Sequence, residues 1–159
     1  MRTVVTGGAG FIGSNLVDGL VGAGDEVLVL DDLSHGSEAN LAGALERGAR
    51  LTKVDVRDAA GVHEQITGFA PEVVFHMAAQ IDVRTSMVEP ARDAGINVLG
   101  SLNVFTAAQA AGVRRVVNTS TGGAIYGETS TVPTPETEPA RPLSAYGLGK
   151  RTVEEYGAW

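Results

Sequence analysis

The chain has 159 residues, a formal net charge of −7 and no cysteine. Its 43% hydrophobic and 19% charged residues are typical of one ordinary globular domain and exclude a disordered chain. The negative charge disfavours nucleic acid or an anionic membrane as a partner, and the lack of cysteine excludes disulfides and cysteine-based metal sites.

No apolar run is long enough to span a bilayer. Met1 and Arg2 lead directly into a predicted strand, so we expect no signal peptide. The expectation is a soluble, cytoplasmic protein.

Short β-branched runs alternate with helical patterns along the chain. The runs predict strands at Thr3–Thr6, Glu26–Asp31, Arg50–Asp55, Glu72–His76 and Arg115–Thr119. The segments between them predict helices at Phe11–Val21, Ser37–Glu46, Asp58–Phe69 and Ala91–Ala111. This alternation predicts an α/β fold, a Rossmann-like doubly wound parallel sheet with flanking helices and five strands present.

A glycine-rich turn joins the first predicted strand to the first predicted helix. The turn fits Gly-x-Gly-x-x-Gly through Gly8, Gly10 and Gly13, and it fits Gly-x-x-Gly-x-x-Gly through Gly7, Gly10 and Gly13. Such a turn lets the backbone approach a pyrophosphate, and the helix that follows offers free N–H groups and the positive end of its dipole. With a strand before it and a helix after it, the motif predicts a dinucleotide site.

Asp31 ends the second predicted strand, about 20 residues beyond the glycines, where an acid binds the adenosine ribose in dinucleotide sites. Its carboxylate would repel the extra phosphate of NADP, so NAD is the predicted cofactor. A solvent-facing acid at a strand end is the alternative for Asp31, and a simple turn residue is the alternative for Asp32.

Two further strand ends carry candidate cofactor residues. Asp55 and Val56 follow the third strand, where they suit contact with adenine, although a polar turn before an Asp58 helix cap fits nearly as well. The small residues of Ala78-Ala79-Gln80 follow the fourth strand and would let the backbone approach the cofactor. A chance turn of small residues would look the same.

The three histidines suggest no catalytic or metal site. His76 ends a predicted buried strand without a nearby Ser–His–Asp pattern, so we interpret it as a packed core residue. His35 and His63 lie in no pattern, and no spacing of histidines and acids predicts a metal.

Tyr146 and Lys150 lie four residues apart on a predicted helix and so share one face. A phenol ordinarily titrates near pH ~10, and a neighbouring ammonium together with a positive nicotinamide ring would lower its pKa. Tyr146 could then take a proton from a substrate alcohol. Ser120 and Thr121 leave the fifth strand where a hydroxyl could meet the same alcohol. For Tyr146 and Lys150 the alternative is an exposed i,i+4 pair on an ordinary helix. For Ser120 and Thr121 the alternative is a solvent-facing Ser/Thr turn.

The end of the chain has an unusual composition. Four of the six prolines fall between Gly122 and Leu143, where no period is evident, and a loop of that length is usually functional. The last helix should begin near Ser144 and shows no C-cap signal before Trp159. With five strands where six are usual, we expect residues 1–159 to be the N-terminal NAD-binding Rossmann domain of a longer protein, ending within the Tyr-Lys helix.

Several motifs together resemble the extended short-chain dehydrogenase/reductases, and among these the bacterial UDP-glucose 4-epimerases. The motifs are the glycine turn from Thr6 to Ser14, Asp31-Asp32-Leu33-Ser34, His76-Met77-Ala78-Ala79-Gln80, Asn97-Val98-Leu99-Gly100-Ser101, the run from Ser120 to Glu128, and Tyr146-x-x-x-Lys150. They occur in the family's order along the whole chain.

The resemblance implies a tightly held NAD, a UDP-sugar substrate and a transient 4-keto sugar. The implied catalytic residues are Thr121, Tyr146 and Lys150. Counting back from Tyr126 would select Gly122 instead of Thr121, but only Thr121 has a hydroxyl. The implied cofactor contacts are Gly7, Gly10, Phe11, Ile12, Gly13, Asp31, Asp32, Ser34, Asp55, Val56, Ala78, Ala79, Gln80, Asn97, Ser120, Tyr146 and Lys150.

The resemblance also implies a homodimer through the Ala91–Ala111 helix and the Tyr146 helix. Family members carry a C-terminal lobe that grips the UDP-sugar, and this lobe is absent here, so the activity of the chain by itself is left open.

Other activities remain open at this point. A UDP-glucuronate or UDP-N-acetylglucosamine 4-epimerase, a reductase and a non-catalytic NAD-binding module fit the same motifs, as does a fragment with no function of its own. Sugar-nucleotide 4,6-dehydratases resemble the chain but place Asp-Glu after the catalytic threonine, where this chain has Gly122-Gly123.

Overall fold

The computed structural model describes residues 1–159 and contains one five-stranded sheet. All neighbouring strands pair in parallel, in the order β3-β2-β1-β4-β5. The strands are β1 Arg2–Thr6, β2 Glu26–Asp31, β3 Arg50–Lys53, β4 Val73–His76 and β5 Arg115–Asn118. The predicted Rossmann-like α/β fold is therefore confirmed.

Helices cover both faces of the sheet, as parallel strands require. They are α1 Phe11–Gly22, α2 Ala42–Glu46, α3 Ala59–Phe69, α4 Val83–Val88, α5 Pro90–Ala94, α6 Gly100–Ala110, α7 Gly122–Ile125 and α8 Ala145–Ala158. A 3-10 turn at Glu38–Leu41 precedes α2, and a π-helical turn at Gly95–Leu99 joins α5 to α6. None of these helices has the length and apolar character needed to cross a membrane.

The core consists of two apolar clusters, one on each face of the sheet. Successive residues of a strand point to opposite faces, so Val4 of β1 packs in one cluster and Val5 in the other. Ile66 of α3 and Val104 of α6 complete the first cluster, and Val17 of α1 belongs to the second. Full burial of such side chains stabilises the fold by about 1.5–3 kcal/mol each.

Three helical features differ from the sequence prediction. The Val83–Val88 helix was not expected, because Val83, Met87 and Val88 are exposed and give no amphipathic pattern. The helix predicted over 91–111 is divided by the π turn, which inserts one residue into the helical repeat without a sequence signal. A four-residue helix, α7, also lies within the segment predicted to be irregular.

Candidate active site

A cavity of about 430 Å³ opens at the carboxyl ends of the strands. In an open parallel sheet this edge, where the strand order reverses, is the usual place for a ligand. Sixteen of the predicted site residues line the cavity: Gly7, Gly10, Phe11, Ile12, Gly13, Asp31, Asp32, Ser34, Asp55, Val56, Ala78, Ala79, Gln80, Ser120, Tyr146 and Lys150. Thr121 and Asn97 are the two predicted residues outside the lining.

The geometry distinguishes between the two possible glycine frames. Gly7, Gly10 and Gly13 line the cavity, whereas a Cβ on Gly8 would lie 2.7 Å from the side chain of Val29 in β2. Gly7 has a φ of +68°, and a Cβ there would meet the Ala78 backbone nitrogen at 2.6 Å. The three glycines of the Gly-x-x-Gly-x-x-Gly frame therefore line the cavity, whereas Gly8 lets the chain pack closely against Val29 of β2.

The Asp31 carboxylate holds the two loops that flank the cavity. It accepts hydrogen bonds from the backbone N–H groups of Ala9 (2.9 Å) and Leu33 (2.8 Å) and is 8% exposed. Each oxygen keeps lone pairs available for a further donor. Asp31 is therefore more than a solvent-facing acid, while Asp32 accepts the Ser34 N–H at 2.9 Å in a local turn.

Asp55 lines the cavity with an arginine that the sequence analysis did not identify. Arg57 Nε donates to both oxygens of the Asp55 carboxylate at 3.0 Å, and Arg57 also lines the cavity. This side-chain hydrogen bonding lowers the pKa of Asp55, although burial opposes the shift. The sequence signal for Arg57 was its place two residues after Asp55, on the same strand-end loop.

Asn97 lies beneath the cavity rather than in its wall. It is 2% exposed, accepts a hydrogen bond from the Gln80 N–H (2.8 Å) and donates Nδ2–H to the Gln80 carbonyl (2.9 Å). The π turn places its side chain there. Asn97 thus fixes the backbone of Gln80, which does line the cavity.

His76 is a buried core residue that lies within a chain of hydrogen bonds. Its Nδ1 lies 2.6 Å from the Thr6 hydroxyl and its Nε2 lies 2.8 Å from the Ser101 hydroxyl. Ser101 donates its own proton to the Asn97 carbonyl, so the proton of the neutral ring belongs on Nε2. Burial lowers the pKa of His76 to about 3, and the charge of Lys150 acts in the same direction.

We expect His76 to make folding stability depend on pH. Its pKa is about 3 in the folded chain and about 6.5 when unfolded, so the unfolded state binds more protons between these values. Stability contributed by the neutral ring is complete above pH ~6.5, and about 2 kcal/mol of it is lost on acidification to pH 5. Urea unfolding at both pH values measures the loss.

Two control variants separate the pH dependence of stability that His76 causes from the pH dependence that carboxylates cause. A His76→Gln chain should lack that part of the pH dependence, whereas His63→Gln, on the exposed face of α3, should keep it because His63 meets solvent in both states. The same pH dependence in the wild type and in His76→Gln would contradict a buried neutral ring.

Tyr146 and Lys150 project from α8 into the cavity. Ser144 caps the helix by accepting the Gly147 N–H at 3.1 Å, which fixes the first turn. Lys150 is 6% exposed and donates Nζ–H to the Thr119 carbonyl at 2.9 Å. Ser120 also lines the cavity, and its buried Oγ has no hydrogen-bond partner within the chain.

Burial governs the pKa of Tyr146 in the chain without cofactor. Burial raises it, and the Asp93 charge acts in the same direction, while hydrogen bonding to the Thr121 side chain lowers it. The Lys150 ammonium donates a hydrogen bond to the Thr119 carbonyl. The expected lowering of the Tyr146 pKa by a neighbouring ammonium together with a positive nicotinamide ring concerns the cofactor-bound site and stays a prediction.

Ser86 is a positioning residue that the sequence analysis missed. It is fully buried on α4, accepts the backbone N–H of Tyr146 at 3.1 Å and donates to the Val83 carbonyl at 2.7 Å. A serine in a short unpredicted helix gave no signal. Ser86 ties the start of α8 to the segment before the π turn.

Replacing Ser86 by Ala should destabilise the chain by about 1–2 kcal/mol, because the Tyr146 N–H loses its acceptor inside the protein. Urea unfolding measures the change. Thr152→Ala, which removes a hydroxyl with an exposed hydrogen bond from α8, the helix of Tyr146, should change stability by less than about 0.5 kcal/mol. Equal effects of the two substitutions would contradict the role of Ser86.

The family of this chain is shown by its similarity to known proteins. A model of the NAD dependent epimerase/dehydratase family matches residues 3–158. The chain belongs to this family. Among curated relatives, the UDP-glucose 4-epimerase of Mycolicibacterium smegmatis is 47% identical over 157 residues, and the putative UDP-glucose 4-epimerase of Methanocaldococcus jannaschii is 42% identical over 153. The alignments cover 98% and 96% of this family member.

Solved structures of UDP-glucose 4-epimerases are also similar to this chain over almost its whole length. The UDP-glucose 4-epimerase of Thermotoga maritima with UDP-glucose has a TM-score of 0.92 and 45% identity over 98% of this chain. The Thermus thermophilus UDP-glucose 4-epimerase in complex with NAD has a TM-score of 0.91 and 44% identity over 98% of it. This family member spans about half the length of these relatives, 50% and 49% of the two solved chains.

Proposed function

We propose that the chain forms the NAD-binding part of a nucleotide-sugar 4-epimerase that interconverts UDP-glucose and UDP-galactose through a transient 4-keto sugar. The observation that carries this proposal is the presence of Tyr146 and Lys150 in the same cavity wall as the glycine turn. The UDP-glucose 4-epimerases among the relatives support the choice of substrate. We assign binding of the UDP-sugar to a further lobe outside these 159 residues, since the chain covers half of the length of each of these relatives.

The cavity suits NAD on three counts. A Cβ on Gly7 or Gly13 would collide with backbone, so glycine keeps the space for a pyrophosphate open. The twelve-residue helix α1 begins at this turn and supplies free N–H groups and a positive dipole end. The Asp31 carboxylate can accept ribose hydroxyls and would repel the 2′-phosphate of NADP.

The proposed chemistry divides between the cofactor and the chain. Bound NAD would accept a hydride from C4 of the sugar and later return it. Tyr146 would remove the 4-hydroxyl proton and give it back as the alcohol reforms. Thr121, which favours the phenolate of Tyr146, would orient the same hydroxyl, and Lys150 would donate hydrogen bonds to ribose hydroxyls.

An epimerase is preferred to a 4,6-dehydratase because α7 begins with Gly122 and Gly123 directly after Thr121. No acid–base pair follows the threonine, so the chain lacks the groups that would move protons at C5 and C6. We assign the proton transfer at the substrate alcohol to Tyr146, which lines this wall.

We also assign a homodimer contact to the helical layer of α5, α6 and α8. Leu99 in the π turn and Leu148 on α8 are 60% and 56% exposed, which suits an apolar contact. Sedimentation of the wild type and of Leu148→Glu tests it, since the charge should convert dimers to monomers. A monomeric wild-type chain would contradict the assignment.

The proposed function is tested by calorimetric titration of NAD and NADP into the chain, followed by an assay for conversion of UDP-galactose. We expect saturable NAD binding that is at least about tenfold tighter than NADP binding, a difference of about 1.4 kcal/mol. A folded chain that binds neither nucleotide would contradict the cofactor assignment. Binding without conversion, in this chain and in a version extended to the relatives' length, would favour the non-catalytic module.

A further inference from the structure

A buried carboxylate lies behind Lys150. Asp93 of α5 is 2% exposed, and its Oδ1 accepts hydrogen bonds from Gln80 Nε2 (2.9 Å) and Asn97 Nδ2 (3.0 Å). Its Oδ2 lies 3.5 Å from the position that a Cβ on Gly149 would take, so this oxygen faces α8 beside Lys150. The carboxylate is thus held by two amides on one side and faces Gly149 of α8 on the other.

Lys150 has no ion-pair partner at close range. None of the six ion pairs within 4.0 Å includes it, and its ammonium donates only to the Thr119 carbonyl. A buried ammonium without compensation is costly and tends to lose its proton. Burial lowers the pKa of Lys150, and the one charge that raises it is that of Asp93.

We propose that Asp93 is the counter-ion of Lys150, a positioning residue that keeps the ammonium charged and facing the cavity. The inference deepens the proposed function, on which it rests for the assignment of Lys150 to the cofactor's ribose. The amides of Gln80 and Asn97 stabilise the charged carboxylate against burial, which raises the pKa of Asp93. Gln80 thereby connects the cavity wall to the ion pair.

Few other charges act on this pair. The π turn, α6 and α7, which pack against α8, contain no titratable side chain. Arg84 of α4 is exposed, and Arg92 of α5, which also lines the cavity, pairs with Glu89 at 3.0 Å. His76 of β4 is neutral, since its pKa is about 3. Tyr146, on the same helix, is uncharged because its pKa is raised.

The chain offers a direct test because it contains two lysines only, Lys53 and Lys150. In protein labelled with ¹³C-lysine, each side-chain resonance can be followed through a pH titration without cofactor. Asp93→Asn should shift the Lys150 titration to lower pH and leave that of the exposed Lys53 unchanged. Asp82→Asn makes the same acid-to-amide change at an exposed helix cap and should move neither.

Two further measurements complete the design. Lys150→Met should raise the pKa of the Asp93 carboxyl, because coupling between two sites is reciprocal. This second variant tests the counter-ion proposal even if Asp93→Asn does not fold. NAD affinity of Asp93→Asn should fall at least about tenfold. An unchanged Lys150 titration in Asp93→Asn, or an unchanged Asp93 titration in Lys150→Met, would overturn the counter-ion. The titrations need no cofactor, so a wild-type chain that does not bind NAD would overturn the proposed function alone.

Discussion

A Gly13→Ala chain is expected to lose at least about 3 kcal/mol of folding free energy together with NAD binding. An added Cβ would lie 2.2 Å from the Gly7 carbonyl oxygen and 2.7 Å from the Gly8 Cα. Both atoms belong to the backbone of the glycine turn, so no side-chain rotation can relieve the overlap. Either the turn opens, which destroys the cavity wall, or α1 moves away from the sheet and exposes core residues such as Val17.

Gly19→Ala is the matched control, because Gly19 lies on the exposed side of the same helix and a Cβ there meets no atom within 4 Å. This substitution should stabilise the chain by about 0.5–1 kcal/mol, since alanine favours a helix interior. Thermal unfolding with and without NAD measures both variants. If Gly13→Ala unfolds at the wild-type temperature and still binds NAD, close packing of the turn is not what requires glycine there.

The strands and the cavity were predictable because each depends on local pattern. The β-branched runs end at acids or small residues, and a parallel sheet brings all those ends to one edge, which places Asp31, Asp55 and Ala78 around one space. The two glycine frames could not be separated from sequence. Only the observed approach of Gly8 to Val29 assigns Gly8 to packing.

The residues that support the site were not predictable, because their roles come from tertiary contacts. Asp93 occupies a helical segment in which an acid ordinarily faces water, and its partner Gln80 comes from the loop after β4. Ser86 lies on a helix of six residues whose apolar side chains are exposed. The π turn that carries Asn97 has no sequence pattern of its own.

If the proposed function holds, the largest effect on activity is expected from Tyr146→Phe in a version of the protein extended to the relatives' length, where it should reduce turnover of a UDP-sugar by about 10²–10⁴-fold while leaving NAD affinity close to that of the wild type. Only the phenol oxygen is removed, and the ring that lines the cavity remains. Because burial raises the pKa of Tyr146 in the cofactor-free chain, its phenol should ionise above the ordinary range. The positive nicotinamide should lower that pKa, so NAD binding should bring phenolate absorbance to lower pH.

Tyr156→Phe provides the matched control, with the same loss of a hydroxyl on the same helix at a side chain 47% exposed. It should retain full turnover and the phenolate signal that NAD induces, whereas Tyr146→Phe should lose both. The absorbance titration requires NAD binding but no turnover, so it tests the phenol in this half-length chain directly. A Tyr146→Phe chain that keeps the NAD-dependent phenolate signal would show that another tyrosine produces it. Full turnover by the extended Tyr146→Phe protein would remove Tyr146 from the chemistry.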